Sequence, residues 1–216
     1  MDHWEGQLIS AEEFERLEDM YRPLAQAVRD LIDATVRTGA DESTIRAAAE
    51  AIETVTATLQ PLNSEGWQAI RHADTGRPIL FTNPAAGGRN PVAPPMVIHH
   101  DPDGRCRSDF TLGAPYEGPP GMVHGGIAAL VLDHLLGEAA SGGLTKPRFT
   151  GTITLRYLRG TPLGPVHAEA FIDRVEGPKT YARGFISDAQ GPTVEAEGIF
   201  ITPAWARETD SGETVS

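Results

Sequence analysis

Cysteine is nearly absent. Cys106 stands alone among 216 residues, so no intrachain disulfide can brace the fold, and the thiol suits a reducing, cytoplasmic compartment. Basic residues are also short: 18 Lys and Arg against 30 Asp and Glu leave a net charge of −12. That balance argues against nucleic acid or an anionic membrane surface as a partner. No apolar run approaches the length of a membrane span, and residues 1–5 lack the basic-then-apolar order of a secretory signal. The chain has no Gly-x-Ser-x-Gly elbow, which removes the serine-nucleophile route of the α/β-hydrolases. Metal-ligand spacing is missing too. His99 and His100 fall on opposite faces of a predicted strand, and His134 and Glu138, helix neighbours, lack a third ligand, so no metal is expected.

What is present divides into unlike parts. With 40% hydrophobic residues the chain can bury a core of one domain plus an extension. Residues 1–62 read as a helical extension. Ser10 and Glu13 have capping-box spacing, and Phe14, Leu17, Met20, Tyr21, Leu24, Val28, Leu31 and Ile32 recur at helical intervals. Pro23 is expected to kink or split that helix. Asp41 is a predicted N-cap for a second helix, whose stripe of Ile45, Ala48, Ala49, Ile52, Val55 and Leu59 ends at Pro61. The pair reads as a hairpin laying one apolar face on the rest of the protein, the alternative being an amphipathic dimerisation arm. Residues 63–95 are rich in Pro, Gly and Asn and read as a connecting loop, with Trp67 and Phe81 anchoring it to the core rather than binding a ligand.

After Pro95 the pattern turns extended. Two strands (96–100 and 105–112), an apolar helix (about 124–140) and four strands (about 148–158, 165–175, 179–188 and 193–202) predict an α+β domain over residues 96–204. In it, an antiparallel sheet wraps one long helix. Residues 205–216 are expected to be a flexible tail. Charge is uneven along the chain. Residues 1–65 carry 14 acids and 5 arginines, whereas residues 143–185 carry 7 basic residues and 3 acids, so an anionic ligand would meet the second half.

The chemistry concentrates at one helix. His124, Gly125 and Gly126 open it, residues 127–132 are all apolar, and the lone carboxylate Asp133 follows. A helix N-terminus offers unpaired N–H groups and partial positive charge, so Gly125 and Gly126 can donate to an oxygen that becomes negative. Glycine there also admits a substrate carbonyl close to the backbone. Eight residues at ~1.5 Å rise separate Gly125 from Asp133 by about 12 Å, whereas a base and an oxyanion donor must each lie within roughly 3 Å of one reacting centre. Two antiparallel copies of the helix across a twofold axis would satisfy both demands, which predicts a homodimer with shared sites and leaves a dimer of dimers open. The plainer alternative is a tight turn at His124 with Asp133 facing solvent or paired to an arginine such as Arg148 or Arg156.

The stretch Gly121-Met-Val-His-Gly-Gly-Ile-Ala-Ala-Leu-Val-Leu-Asp133 resembles the active-site helix of hotdog-fold acyl-CoA thioesterases of the PaaI type. The likeness extends through Pro119 and Pro120, through Thr150-Gly-Thr-Ile-Thr-Leu-Arg-Tyr-Leu-Arg159 and through Val175-Glu-Gly-Pro-Lys179. It covers about residues 85–202 and leaves the first eighty unexplained. The resemblance implies a hotdog fold and hydrolysis of an acyl-CoA to free acid and CoA, with no cofactor, CoA being part of the substrate. It implies Asp133 as nucleophile or general base, the Gly125 amide (with Gly126 adjacent) as polarising donor, His124 as an orienting residue and Thr150 as a hydroxyl that places water. Two departures stand out. The segment before Thr150 is about one residue longer than in relatives, and Arg159 is followed by Gly160 and Thr161 before Pro162. For the CoA phosphates, the basic second half offers Arg159 and Lys179. The alternatives on the same fold are a non-catalytic acyl-CoA sensor and an enoyl-CoA hydratase.

Overall fold

A computed structural model describes residues 6–62 and 70–210. Trp67 lies outside the described residues. The chain runs β1 (Gln7–Ile9), α1 (Ala11–Arg37), α2 (Glu42–Leu59), β2 (Ile70–His72), β3 (His99–His100), β4 (Cys106–Leu112), α3 (Gly125–Ala140), β5 (Phe149–Tyr157), β6 (Gly164–Glu176), β7 (Lys179–Asp188), β8 (Gly191–Ile201) and α4 (Ala204–Asp210). The segment from residue 204, where the sequence suggested only the end of the domain and a tail, is therefore helical up to residue 210.

Six strands form one antiparallel sheet in the order β3-β4-β6-β7-β8-β5. Strand β4 shows why it has an inner and an outer face: Cys106, Ser108, Phe110 and Leu112 are buried while Arg107, Asp109 and Thr111 are exposed, the period-two alternation of a half-buried strand. The inner face wraps α3. Helix α3 is apolar nearly all round, and Ala128, Val131, Leu132, Leu135, Leu136 and Ala139 are buried in the main core with Ile186, Val194 and Phe200. This is the hotdog arrangement expected from the sequence.

The extension builds a second, smaller core. Strands β1 and β2 pair in parallel, and Ile9, Ile79 and Phe81 are buried together against Phe14, Leu17 and Ile70. Phe14 and Phe81 stack with ring centroids 5.9 Å apart, and the Arg89 guanidinium lies over the Tyr21 ring at 3.6 Å. Phe81 thus anchors the loop to the extension rather than to the main core. The loop is held by its own polar groups: Asn83 Oδ1 accepts from the N–H of Ala85 and of Ala86, and the Tyr116 hydroxyl donates to Ala93 O at 2.9 Å.

Two expectations for the extension are corrected. Pro23 does not split α1, which runs unbroken from Ala11 to Arg37, so of the two outcomes expected there the split is ruled out; the position is exposed, so water can satisfy the carbonyl that loses its helical donor. Helix α2, capped by Asp41 as expected, lays no face on the described residues of its own chain, because every residue from Glu42 to Leu59 is exposed. No helix among the described residues is long and apolar enough to cross a membrane.

Candidate active site

The entry to α3 is set by a histidine cap. His124 has extended backbone angles (φ −62°, ψ 131°), and its Nδ1 accepts the Gly126 N–H at 3.0 Å. Its own N–H donates to Tyr116 O, and that of Val123 to Thr161 O, so the turn is tied on both sides. Gly118 is required by this packing, since a Cβ there would lie 2.8 Å from His124 Cα. The cap decides between the two glycine amides. Gly126 N–H is already spent on His124 and is not the free donor expected of it, because a histidine at the cap satisfies one of the orphan donors of the first turn. Gly125, the first helical residue, keeps its N–H without an acceptor among the described residues.

Strand β5 lies alongside α3 and is fastened to it at both ends. Near its start the Thr150 hydroxyl donates to Asp133 Oδ1 at 3.0 Å. At its end the Tyr157 hydroxyl donates to Gly125 O at 2.9 Å. A Cβ on Gly125 would meet the Tyr157 hydroxyl oxygen at 3.2 Å, so glycine allows the phenol this approach. The role of Tyr157 was not foreseen; its place at the end of the strand that carries Thr150 was the available signal. Asp133 is half-buried and pairs with neither suggested arginine. Arg148 bonds the hydroxyls of Thr180 and Thr202, and Arg156 pairs with Glu195. Among the described residues the site is thus a carboxylate without a cationic partner, steadied by a hydroxyl, with an open amide on the same helix about 12 Å away.

No family model matches the sequence. A crystal structure of a thioesterase superfamily protein aligns with a TM-score of 0.75 and 34% identity, covering 84% of this chain and 90% of that one. The chain belongs to the thioesterase superfamily. Among curated proteins, acyl-coenzyme A thioesterase THEM4 of Bos taurus is 31% identical over 109 residues, 49% of this chain and 44% of that protein. Its namesake from Xenopus laevis is 32% identical over 98 residues, 43% of this chain and 42% of its own length. The chain spans less than half the length of the curated relatives it matches.

Within this superfamily member, the two cations suggested for phosphate binding are placed differently. Arg159 is engaged: its Nη1 donates to Asp188 Oδ2 at 2.7 Å, and its Nη2 reaches both Asp188 Oδ1 and Gly191 O. That guanidinium holds the Asp188 carboxyl down at about 2, with the Gln190 N–H helping. Lys179 is exposed at the start of β7, two strands from Phe149 across Ile201, at the Thr150 end of the sheet. A further group of titratable residues lies at the other end of α3. Glu138 is buried, with Arg77 Nη2 at 3.5 Å, His100 Nε2 at 3.4 Å and His134 Nε2 at 3.6 Å. Burial pushes His134 down, against the pull of Glu138 and Asp133. Arg77 also donates to Gly143 O and contacts His100 Nε2 at 2.6 Å. With a guanidinium among the carboxylate's neighbours, this cluster is built as an ion-paired strut.

Proposed function

We propose that this chain hydrolyses an acyl-CoA thioester to a free acid and CoA. The observation that carries the reading is Asp133: a carboxylate without a cationic partner among the described residues, held by Thr150 Oγ1 at 3.0 Å, on the helix whose first amide has no acceptor among them. A thioester is activated enough that one carboxylate and one oxyanion donor can suffice.

In the general-base form, Asp133 takes a proton from water as the water oxygen bonds the acyl carbon. The carbonyl oxygen gathers negative charge against the Gly125 N–H. The C–S bond then breaks, and the CoA thiolate recovers the proton. In the nucleophilic form, the carboxylate oxygen itself bonds the acyl carbon, CoA thiolate leaves, and water cleaves the resulting anhydride. Label found in Asp133 after a single turnover in 18O-water identifies the anhydride route, with water attacking Asp133 Cγ.

Because ~12 Å of helix separates the carboxylate from the amide, each site draws them from different subunits of a homodimer. Strand β5 supports such a dimer. It ends the sheet order and presents nine residues of backbone along an edge, most of them exposed, the kind of edge that invites a second copy. Under the same twofold relation, Lys179 of the Asp133 subunit and Arg159 of the Gly125 subunit would flank one site, with Lys179 the better placed for a CoA phosphate because Arg159 is held by Asp188. A cytoplasmic location, suggested by the single cysteine, completes the reading.

The hydratase alternative is disfavoured by His124, whose Nδ1 serves the helix cap and whose ring starts a full helix segment away from Asp133. The sensor alternative predicts binding without turnover. The deciding experiment is thiol release from a panel of acyl-CoAs by the unmodified chain and by Asp133→Asn. Release by the first, with loss of at least ~100-fold in the second, is the expected result. Binding without release supports the sensor, and full activity in Asp133→Asn refutes the assignment.

A further inference from the structure

Helix α2 is an 18-residue helix whose every residue faces solvent. An isolated helix of that length is marginal in water, and helical stability in proteins comes mainly from docking an apolar face. α2 has such a face. Ile45, Ala48, Ile52, Val55 and Leu59 recur in steps of three and four, the a and d positions of a heptad, and the larger four are 50%, 39%, 55% and 43% exposed. The flanking e and g positions hold Thr44, Ala49, Ala51, Thr56 and Thr58, which are small and uncharged. Arg46, Glu50 and Glu53 fall on the outward b and f positions. Uncharged, small flanks widen the seam beyond two strands and suit a bundle of several helices.

Helix α1 carries a second stripe of equal length. Its inner face packs on its own chain through Phe14, Leu17 and Ala25. Its outer face presents Met20, Leu24, Ala27, Leu31 and Ala34, again in steps of four and three and all exposed. Each stripe spans fifteen residues, residues 20–34 and 45–59, or about 21 Å of helix. Neither covers the other in this chain.

We propose that the α1 and α2 stripes are covered by those of a second copy of this chain, the two arms pairing about a twofold axis into a four-helix bundle. The seven large hydrophobic residues on the stripes are 38% to 55% exposed, on the order of 600 Å² of surface per copy, and the alanines add to it. That approaches the ~800 Å² per partner of a stable interface. A second copy presents two stripes of matched length and spacing, so the contact closes on itself without an unmatched face. This interface is separate from the β5 edge and contributes no residue to the site around Asp133.

Hydrogen exchange of the α2 amides and sedimentation equilibrium, both on the full chain across a range of concentration, test this. The expected result is α2 protection that rises with protein concentration. Ile52→Glu with Val55→Glu should abolish it and weaken the arm-dependent step of association at least ~100-fold, leaving only the assembly held by the β5 edge. Glu50→Arg, on the outward face, should leave both within about twofold. Because the substituted side chains are exposed, the amide protection of the sheet should persist and serve as the folding control. Protection of α2 that is absent at every concentration, or that is indifferent to the Ile52 and Val55 changes, overturns the proposal. Neither readout depends on thioester hydrolysis, so an inactive chain with concentration-protected arms would sink the proposed activity and leave the bundle standing.

Discussion

Thr150 donates its hydroxyl hydrogen to Asp133 Oδ1 from a strand whose strict alternation would turn that hydroxyl away. Thr152 and Thr154 are exposed, while Ile153 and Leu155 pack towards α3. By period two alone Thr150 belongs with the outer threonines. A β-bulge reverses this: Thr150 pairs with Phe200 and Thr152 with Ile199, leaving Gly151 as the extra residue. The side chain of Phe200 is buried, and Thr150 shares its inward face. Glycine suits the bulge, since a Cβ at Gly151 would meet Ile201 Cγ1 at 3.0 Å and Ile199 O at 3.2 Å.

Thr150→Val keeps the shape and removes the hydroxyl that steadies Asp133. A fall of about tenfold in kcat is expected with KM little changed, and Thr150→Ser should restore most of it. Steady-state thiol release on the three proteins checks this. Equal kcat in Thr150→Val would mean that the hydroxyl plays no part in turnover.

Shared sites can be tested by complementation. Gly125→Pro removes the candidate donor and suits the backbone of the first helical position, where proline is well tolerated and His124 already has the extended backbone that precedes it; Tyr157→Phe alone controls for the phenol on which the new Cβ presses. Asp133→Asn removes the carboxylate but can still accept from Thr150. Each variant alone should be nearly inactive. Mixed and re-equilibrated in equal amounts, they should recover roughly a quarter of normal activity, because half the dimers are mixed and each holds one site intact in both parts. No recovery, with subunit exchange verified by mass, would place both groups of a site in one chain.

The sheet and α3 were legible because their signals are local: alternation in β4, an apolar run after two glycines, and turn residues between β6, β7 and β8. The bulge at Gly151 was hidden within a sequence that alternates regularly, and only the surplus residue before Thr150 hinted at it. Spending Gly126 on His124 was equally invisible, since it depends on the rotamer of a capping side chain. The Arg159–Asp188 pair joins residues twenty-nine apart, and charge content alone offered no reason to couple them. The unpacked α2 reverses a reading in which an amphipathic stripe was assumed to find its partner within the same chain.

Cys106 is 1% exposed, with Sγ 3.2 Å from His100 Nδ1, and burial pushes its thiol up to about 12. The thiolate is the reactive species, so the folded protein should resist disulfide-exchange reagents at pH 8 and react fully once unfolded in guanidinium. Timed thiol titration in both states measures the contrast. Rapid reaction of the native protein would show that the β3–β4 edge opens readily.

The Arg159–Asp188 pair makes a prediction about acid stability. Asp188 titrates at about 2 in the folded chain against an ordinary 3.8, first because of the Arg159 hydrogen bonds. A carboxyl with a depressed folded pKa binds its proton more readily in the unfolded state. Its contribution to stability is therefore complete above about pH 4 and is lost as pH falls towards 2. Asp188→Asn isolates this effect, because an asparagine Oδ1 can still accept the Gln190 N–H that Asp188 Oδ1 accepts at 2.7 Å. Chemical unfolding at a series of pH values should show the variant less stable than the parent from pH 7 to about pH 4, with the gap closing between pH 4 and pH 2. A gap that stays constant across that window would assign the destabilisation to lost packing and remove the ion pair as its cause.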